Sequence, residues 1–201
     1  MSEQLARQSA RSAGSGGAHE SMAGAVTHAG VELVPFPGLR ASARLARFSL
    51  RGELSALAAA LAPAEAPISQ KVCRVAQAEG YAALWLGPDE QLLLVQEGHA
   101  PHLTQVLTEH LAAVPHSLVD ISHRQLAFMI AGEHARTLLA AGCPLDLRDE
   151  AFPVGMCTRT IFEKCEIVLW RTGTDRFHVE VGRSFAGHVT AVLAQAAHEL
   201  S

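Results

Sequence analysis

Residues 117–147 read SLVDISHRQLAFMIAGEHARTLLAAGCPLDL and contain four local signals in succession. The apolar run that ends at Ile130 indicates a β-strand, and Gly132 marks a tight turn directly after it. Residues 135–141 then predict a short helix, and Asp146 lies in the acidic loop that follows. The segment therefore predicts one compact unit of strand, turn, helix and loop.

The same unit occurs a second time in the chain, 80 positions earlier. In both copies an apolar helical segment follows the glycine, then a hairpin, then a second helix, and repetition of such a unit is a strong signal of fold. The sequence predicts an α+β fold of two pseudo-duplicated, ferredoxin-like βαββα halves, at about residues 44–115 and 118–200. The matched positions are Phe48 with Phe128, Gly52 with Gly132, and Trp85 with Trp170.

Periodicity supports these elements. Apolar residues three and four apart predict amphipathic helices over 99–114 and 184–200, the second capped by Ser184. Phe177 and Val179 alternate with polar neighbours, so their strand is expected to bury one face and expose the other to water.

Composition limits the function. The 201 residues carry a formal net charge of -4, so no basic surface is expected for nucleic acid. No apolar run has the length of a membrane span. The four cysteines form no C-x-x-C pair and are interpreted as reduced thiols, which favours a cytoplasmic protein without disulfides.

The N-terminal 30 residues are rich in Ala, Ser and Gly and lack the apolar core of a signal peptide. We expect residues 1–30 to be a disordered extension and residues 31–201 to form the folded domain. Either Met1 or Met22 is compatible with the true start of the protein.

Several residues suggest chemistry, and each has a plainer structural role. A catalytic triad is disfavoured because alternate residues of a strand point to opposite faces and no G-x-S-x-G turn is present. A proline interrupts the one close histidine pair, no Cys pair completes a zinc site, and the glycine-rich stretch lacks a Walker lysine. We predict no catalytic or metal-binding residue. The residues that suggest such chemistry are Asp120, Ser122 and His123 as a triad, His99 and His102 as metal ligands, residues 14–17 as a phosphate loop, and Arg124 and Arg159 as a carboxylate clamp.

Three stretches together resemble one family. Residues 117–147, the hairpin AALWLGPDEQLLLV at 82–95 and the tetrapeptide RSFA at 183–186 are similar to the gamma subunit of heterotetrameric sarcosine oxidase. A more distant resemblance connects them to the folate-binding aminomethyltransferases, which include the glycine-cleavage T-protein. The resemblance covers residues 44–200.

The resemblance implies a non-catalytic, structural subunit of an enzyme that oxidises sarcosine to glycine, with hydrogen peroxide as a product and one-carbon transfer to tetrahydrofolate. It places FAD, FMN, NAD, tetrahydrofolate and zinc on the alpha, beta and delta partners and none on this chain, which is expected to pack chiefly against alpha. The face that meets alpha, and the choice between sarcosine and a close N-methyl amine, stay open at this stage.

The resemblance also offers alternatives. Asp146 falls where the aminomethyltransferases carry a folate-contacting aspartate, so a free-standing folate-binding or aminomethyl-transfer protein is the main one. The iron–sulfur-assembly branch of that superfamily carries a Lys-Gly-Cys-Tyr signature, whereas here Lys164 directly precedes Cys165 without a glycine. A general interaction module is the third alternative. Neighbouring genes for flavoprotein and zinc subunits would favour the sarcosine oxidase interpretation over all three.

Overall fold

The structure is a computed structural model that describes residues 26–28 and 30–200. Twelve strands and four α-helices lie in these residues, together with three short 3₁₀ turns. In chain order they are β1 (Val26–His28), β2 (Val31–Leu33), β3 (Leu39–Ala41), β4 (Leu45–Gly52), α1 (Leu54–Leu61), β5 (Val75–Ala78), β6 (Tyr81–Gly87), β7 (Glu90–Gln96), α2 (Ala100–His110), β8 (His116–Asp120), β9 (Gln125–Ala131), α3 (Ala135–Ala140), β10 (Cys157–Phe162), β11 (Cys165–Gly173), β12 (Arg176–Gly182) and α4 (Ala186–Glu199).

Two five-stranded antiparallel sheets form the body of the molecule, which confirms the α+β class. The first has the order β5-β6-β7-β4-β8 and the second the order β10-β11-β12-β9-β3. The two orders correspond strand by strand. Each half contains one strand more than the predicted βαββα unit, because β5 and β10 precede the hairpins as edge strands.

The two halves exchange their edge strands. β8 pairs with β4 of the first sheet, although the sequence places it at the start of the second repeat. β3 precedes the first repeat, yet it pairs with β9 of the second sheet. The boundary between repeats is therefore crossed twice by main-chain hydrogen bonding.

Three apolar clusters show how the layers pack. One joins α1 and α2 to the first sheet, and a second joins α3 and α4 to the other. The third, which includes Leu84, Leu92 and Val168, lies between the two sheets. The order of layers is helices, sheet, sheet, helices.

Because of this layering, β12 is buried on both faces. His178 and Glu180 were expected to face water, but they are 4% and 1% exposed. Phe177 and Val179 pack towards the helices, whereas the polar residues between them face the first sheet. Alternation of polar and apolar residues here marks a buried polar interface between sheets.

Local sequence explains why α1 forms where predicted. The Glu53 carboxylate accepts hydrogen bonds from the backbone N–H groups of Ser55 and Ala56, which supplies the N-cap. Leu54, Leu57 and Leu61 are buried on one face. By contrast, α4 begins at Ala186 without a side-chain cap, so the capping role predicted for Ser184 is wrong.

The hairpins test the proposed equivalences. Gly52 N–H donates to the Asp89 carbonyl and Gly132 N–H to the Asp175 carbonyl, each at 3.0 Å, so the glycine pair is confirmed. The tryptophan pair is wrong. Both hairpins have two-residue turns, and counting from them matches Trp85 with Arg171 rather than with Trp170. A shift of one residue reverses the face, so Trp85 packs on the helix side and Trp170 between the sheets.

The N-terminal part contributes to the second half. β1 and β2 form a two-stranded ribbon, and Leu33 is buried in the cluster beneath α4. Residues 26–28 belong to the stretch expected to be disordered but form β1, whereas residues 1–25 lie outside the described part of the chain. Within the described residues, no helix is long and apolar enough to cross a membrane.

Candidate functional site

A buried ionic cluster lies where the central strands of the two sheets meet. Arg47 on β4 donates from Nε to Glu180 Oε2 at 2.6 Å, and His178 donates from Nε2 to Glu180 Oε1 at 2.7 Å. Burial alone would raise the pKa of Glu180, but the His178 and Arg47 hydrogen bonds outweigh it and the pKa is lowered. Glu180 is thus held as a carboxylate and is poorly suited to donate a proton.

A second ionic bridge connects the two sheets at Glu90, the first residue of β7. Glu90 accepts a bidentate pair of hydrogen bonds from Arg159 at 2.7 and 3.1 Å, and one from Arg51 at 2.7 Å. The hydrogen bond from Arg159 is the largest cause that lowers the pKa of Glu90. Arg51 lies on β4 and Arg159 on β10, so this carboxylate also joins the two halves.

Between these bridges opens a cavity of about 470 Å³. Its walls come from both sheets, and the buried Gln125 Oε1 beside it has no hydrogen-bond donor among the described residues. Phe185 and Val119 stand at its rim with half of their surface exposed. Its charged lining residues are Arg51, Glu90, Arg124, Arg159, Glu166 and Glu180.

The structure brings Arg124 and Arg159 to the same cavity, as a carboxylate clamp would require. The Arg159 guanidinium is already engaged by Glu90, and its Nε lies 3.5 Å from Glu166. Of these two arginines, Arg124 is the one whose side chain has no polar partner among the described residues. Arg159 is therefore an ion-pair partner of Glu90 and is not free to clamp another carboxylate.

Asp146 lies apart from this cavity in the loop between α3 and β10. Both of its carboxylate oxygens accept hydrogen bonds from Arg148, whose backbone N–H also donates to Oδ1 at 3.0 Å. The Arg148 side chain holds the pKa of Asp146 at about 2. This exposed carboxylate is engaged locally, as expected for a loop-stabilising aspartate.

The other candidates that the structure describes lie outside the cavity between the sheets. The Asp120 carboxylate accepts the backbone N–H of Ser122, and the Ser122 hydroxyl accepts the backbone N–H of Arg47, so these groups stabilise a turn. His99 and His102 line a different cavity beside Tyr81. Residues 14–17 lie outside the described residues.

The residues of the ionic cluster were not identified from the sequence. Arg47 and Glu180 each lie between two apolar residues in an inner strand of a sheet, and that position is the signal that was available. Charged residues are seldom buried unless paired, so an unexplained charge in a central strand predicts a partner across the interface.

Similarity to known proteins bears on what this scaffold is. The model of the sarcosine oxidase, gamma subunit family matches residues 52–199. The chain belongs to this family. Its relatives include the gamma subunit of sarcosine oxidase from Arthrobacter sp, 35% identical over 73% of this chain and 70% of the relative. Another is the gamma subunit from Corynebacterium sp. (strain P-1), 33% identical over 61% of this chain and 60% of the relative.

Solved structures agree with membership of the gamma subunit family. A chain of the heterotetrameric sarcosine oxidase from Corynebacterium sp. U-96 superimposes with a TM-score of 0.72 at 31% identity, over 81% of this chain and 84% of that one. Aminomethyltransferase T of the glycine cleavage system from Bartonella henselae gives a TM-score of 0.59 at 15% identity, over 87% of this chain and 56% of that one. The second match shows a shared fold alone, as the more distant resemblance predicted.

Proposed function

We propose that this chain is the accessory gamma subunit of a heterotetrameric sarcosine oxidase, in which it acts as a structural and non-catalytic component. The observation that carries the proposal is the family match over residues 52–199. The superposition on a chain of the Corynebacterium heterotetramer supports the same assembly.

The ionic cluster suits such a role. Glu180 of this cluster and Glu90 of the second ionic bridge are each neutralised by a guanidinium group from the opposite sheet, which fixes the two halves relative to each other. Charged pairs of this kind define geometry more than they add stability. The chain would present a rigid, double-layered body to a partner, chiefly the alpha subunit.

The catalytic cofactors belong to the partners in this proposal. FAD, FMN, NAD, tetrahydrofolate and zinc are bound by the alpha, beta and delta subunits, and the complex is cytoplasmic. Sarcosine is oxidised to glycine on those subunits, and the released one-carbon unit passes to tetrahydrofolate.

Co-expression tests the assembly. The tagged chain is produced together with alpha, beta and delta subunits of sarcosine oxidase from the same organism. The affinity-purified material is analysed by native mass spectrometry, absorbance and sarcosine-dependent oxygen uptake. We expect one copy of each subunit, a flavin spectrum and oxygen uptake. The tagged chain produced alone is the control, and it should be colourless and inactive.

Two results would contradict the proposal. One is failure of the chain to co-purify with any of the three subunits. The other is saturable binding of tetrahydrofolate by the isolated chain that Asp146→Asn abolishes, which would favour a free-standing folate-binding protein instead.

A further inference from the structure

Two cysteines from different halves lie opposite each other. Cys73 is in the loop before β5, and Cys157 is the first residue of β10. An isolated antiparallel bridge joins Arg74 to Met156. One step outward in each chain leads to Cys73 and Cys157, and the Cys157 N–H donates to the Cys73 carbonyl at 3.0 Å.

The backbone hydrogen bond keeps the Cα atoms of Cys73 and Cys157 within the reach of a disulfide. Directly opposed residues of antiparallel chains have Cα atoms about 4.5–5.5 Å apart. Disulfides span Cα separations of about 4.4–6.8 Å. Cys73 has a φ of +54°, so its side chain leaves a turn rather than a regular ladder. Its thiol nevertheless lies close enough to Cys157 to act on the pKa of that thiol.

The environments of the two thiols differ. Cys157 is fully buried, and its thiol donates towards the Trp85 carbonyl at 3.5 Å. Burial is the largest cause that raises the pKa of Cys157, to about 12, and the neighbouring Cys73 thiol raises it further. Cys73 is half-buried and therefore accessible to a small reagent. Both are reduced in the structure.

We propose that Cys73 and Cys157 form a redox-sensitive disulfide that links the two halves of the fold. This modification goes beyond the accessory role and does not depend on it. The reduced pair is the resting state, and the oxidised pair ties the loop before β5 to the edge strand of the other sheet.

The oxidant is a hydroperoxide, and the reaction proceeds in two balanced steps. The Cys73 thiolate attacks a peroxide oxygen, the O–O bond breaks, and a sulfenic acid forms while water or an alcohol leaves. Cys157 then attacks the sulfenic sulfur, the S–S bond forms, and water leaves with the thiol proton. Two thiols lose two electrons in total, which reduce the peroxide.

The link should also stabilise the fold. Cys73 and Cys157 are 84 positions apart in the sequence, and closing so long a loop restricts the unfolded chain strongly. We expect the oxidised chain to unfold at a temperature on the order of 5 °C higher or more than the reduced chain.

The test uses the full chain, reduced and freed of reductant, then treated with a small excess of hydrogen peroxide. Thiols are counted in denaturant, and non-reduced tryptic peptides are analysed by mass spectrometry. We expect the thiol count to fall from four to two, one cross-linked peptide that contains Cys73 and Cys157, and recovery of all four thiols with dithiothreitol.

Matched variants identify the pair. Cys73→Ser should abolish both the cross-link and the gain in melting temperature, whereas Cys143→Ala, in the core of the second half, should retain both. Circular dichroism verifies that each variant folds. Four persistent thiols, a sulfinic or sulfonic acid on Cys73 without a cross-link, or a disulfide only between two molecules would each overturn the proposal.

Discussion

Glu180 has basic partners within 2.7 Å on both carboxylate oxygens, and its side chain is fully buried. Taking a carboxylate out of water is costly, so its hydrogen bonds must compensate for lost hydration. A substitution that removes one partner leaves the other charge buried without compensation. Substitution of a single residue in this cluster is therefore expected to lower the stability of the fold strongly.

Arg47→Met should be strongly destabilising for this reason. Loss of the guanidinium leaves Glu180 with His178 alone, and breaking a buried ion pair from one side costs about 3–5 kcal/mol. Chemical denaturation of the purified chain measures this free energy of unfolding. The double variant Arg47→Met with Glu180→Leu should recover most of the loss, because it removes both charges.

An exposed ion pair is the matched control for Arg47→Met. Arg148→Ala breaks the Asp146–Arg148 pair, whose side chains are 42% and 78% exposed, and water replaces the lost contact. We expect no measurable change in the free energy of unfolding. Equal effects of Arg47→Met and Arg148→Ala would show that burial of the cluster carries no energetic weight.

Acid should weaken the fold through the same carboxylates. The pKa of Glu90 and that of Glu180 are both lowered in the folded chain, so the folded state binds fewer protons than the unfolded one in acid. Their contribution is complete above the unfolded pKa of about 4.5 and is lost as pH falls through the lower folded values. Denaturation series from about pH 3 to 7 should show this loss.

Glu90→Gln provides the comparison for the acid effect, since the amide does not titrate. Its stability should be lower near neutrality and should depend less steeply on pH below about 4.5. An unchanged slope in this variant would assign the acid sensitivity to other carboxylates.

At the scale of elements, the exchange of β3 and β8 between sheets makes the two halves interdependent. β3 is held to β9 over only three residue pairs, and the turn before it depends on Gly38. Gly38 has a φ of +91°, and a Cβ at this position would collide with the Ala131 carbonyl oxygen. Glycine is thus required here by both conformation and space.

Gly38→Ala should detach β3 from the second sheet. We expect a loss of about 1–3 kcal/mol in the free energy of unfolding and faster amide hydrogen exchange along β9. Gly98→Ala is the control, because no atom lies within 4 Å of its added Cβ. Similar exchange rates along β9 in both variants would contradict this role of β3.

Elements also show what sequence reasoning can reach. The apolar helix predicted after Gly52 is observed as α1, and the Gly52–Gly132 equivalence holds, because both follow from local pattern. The exchange of β3 and β8 was not predictable from the repeat, since pairing of edge strands is set by contacts distant in sequence. The burial of His178 and Glu180 on β12 was not predicted, because alternating polar and apolar residues normally indicate a strand with one face in water. Here the other sheet covers that polar face.

For the molecule as a whole, the inter-sheet core decides what an accessory subunit can offer. The apolar cluster between the sheets and the bridges from Glu90 and Glu180 join the halves into one body. Large apolar side chains still stand exposed at its surface, among them Val119, Ile161 and Phe185. Val119 and Phe185 line the same inter-sheet cavity, and neighbouring exposed apolar groups are typical of surfaces that bind another protein.

Partner subunits should therefore raise the thermal stability of this chain. Binding to the folded state alone stabilises it in proportion to the logarithm of partner concentration, by about 2.7 kcal/mol at one hundred times the dissociation constant. Differential scanning fluorimetry should give a low melting temperature for the isolated chain. The melting temperature should rise as the alpha subunit is added. Serum albumin at the same mass concentration is the control, since crowding alone contributes little. A melting temperature that is high and unchanged by alpha would argue against an obligate subunit and for a protein that works alone.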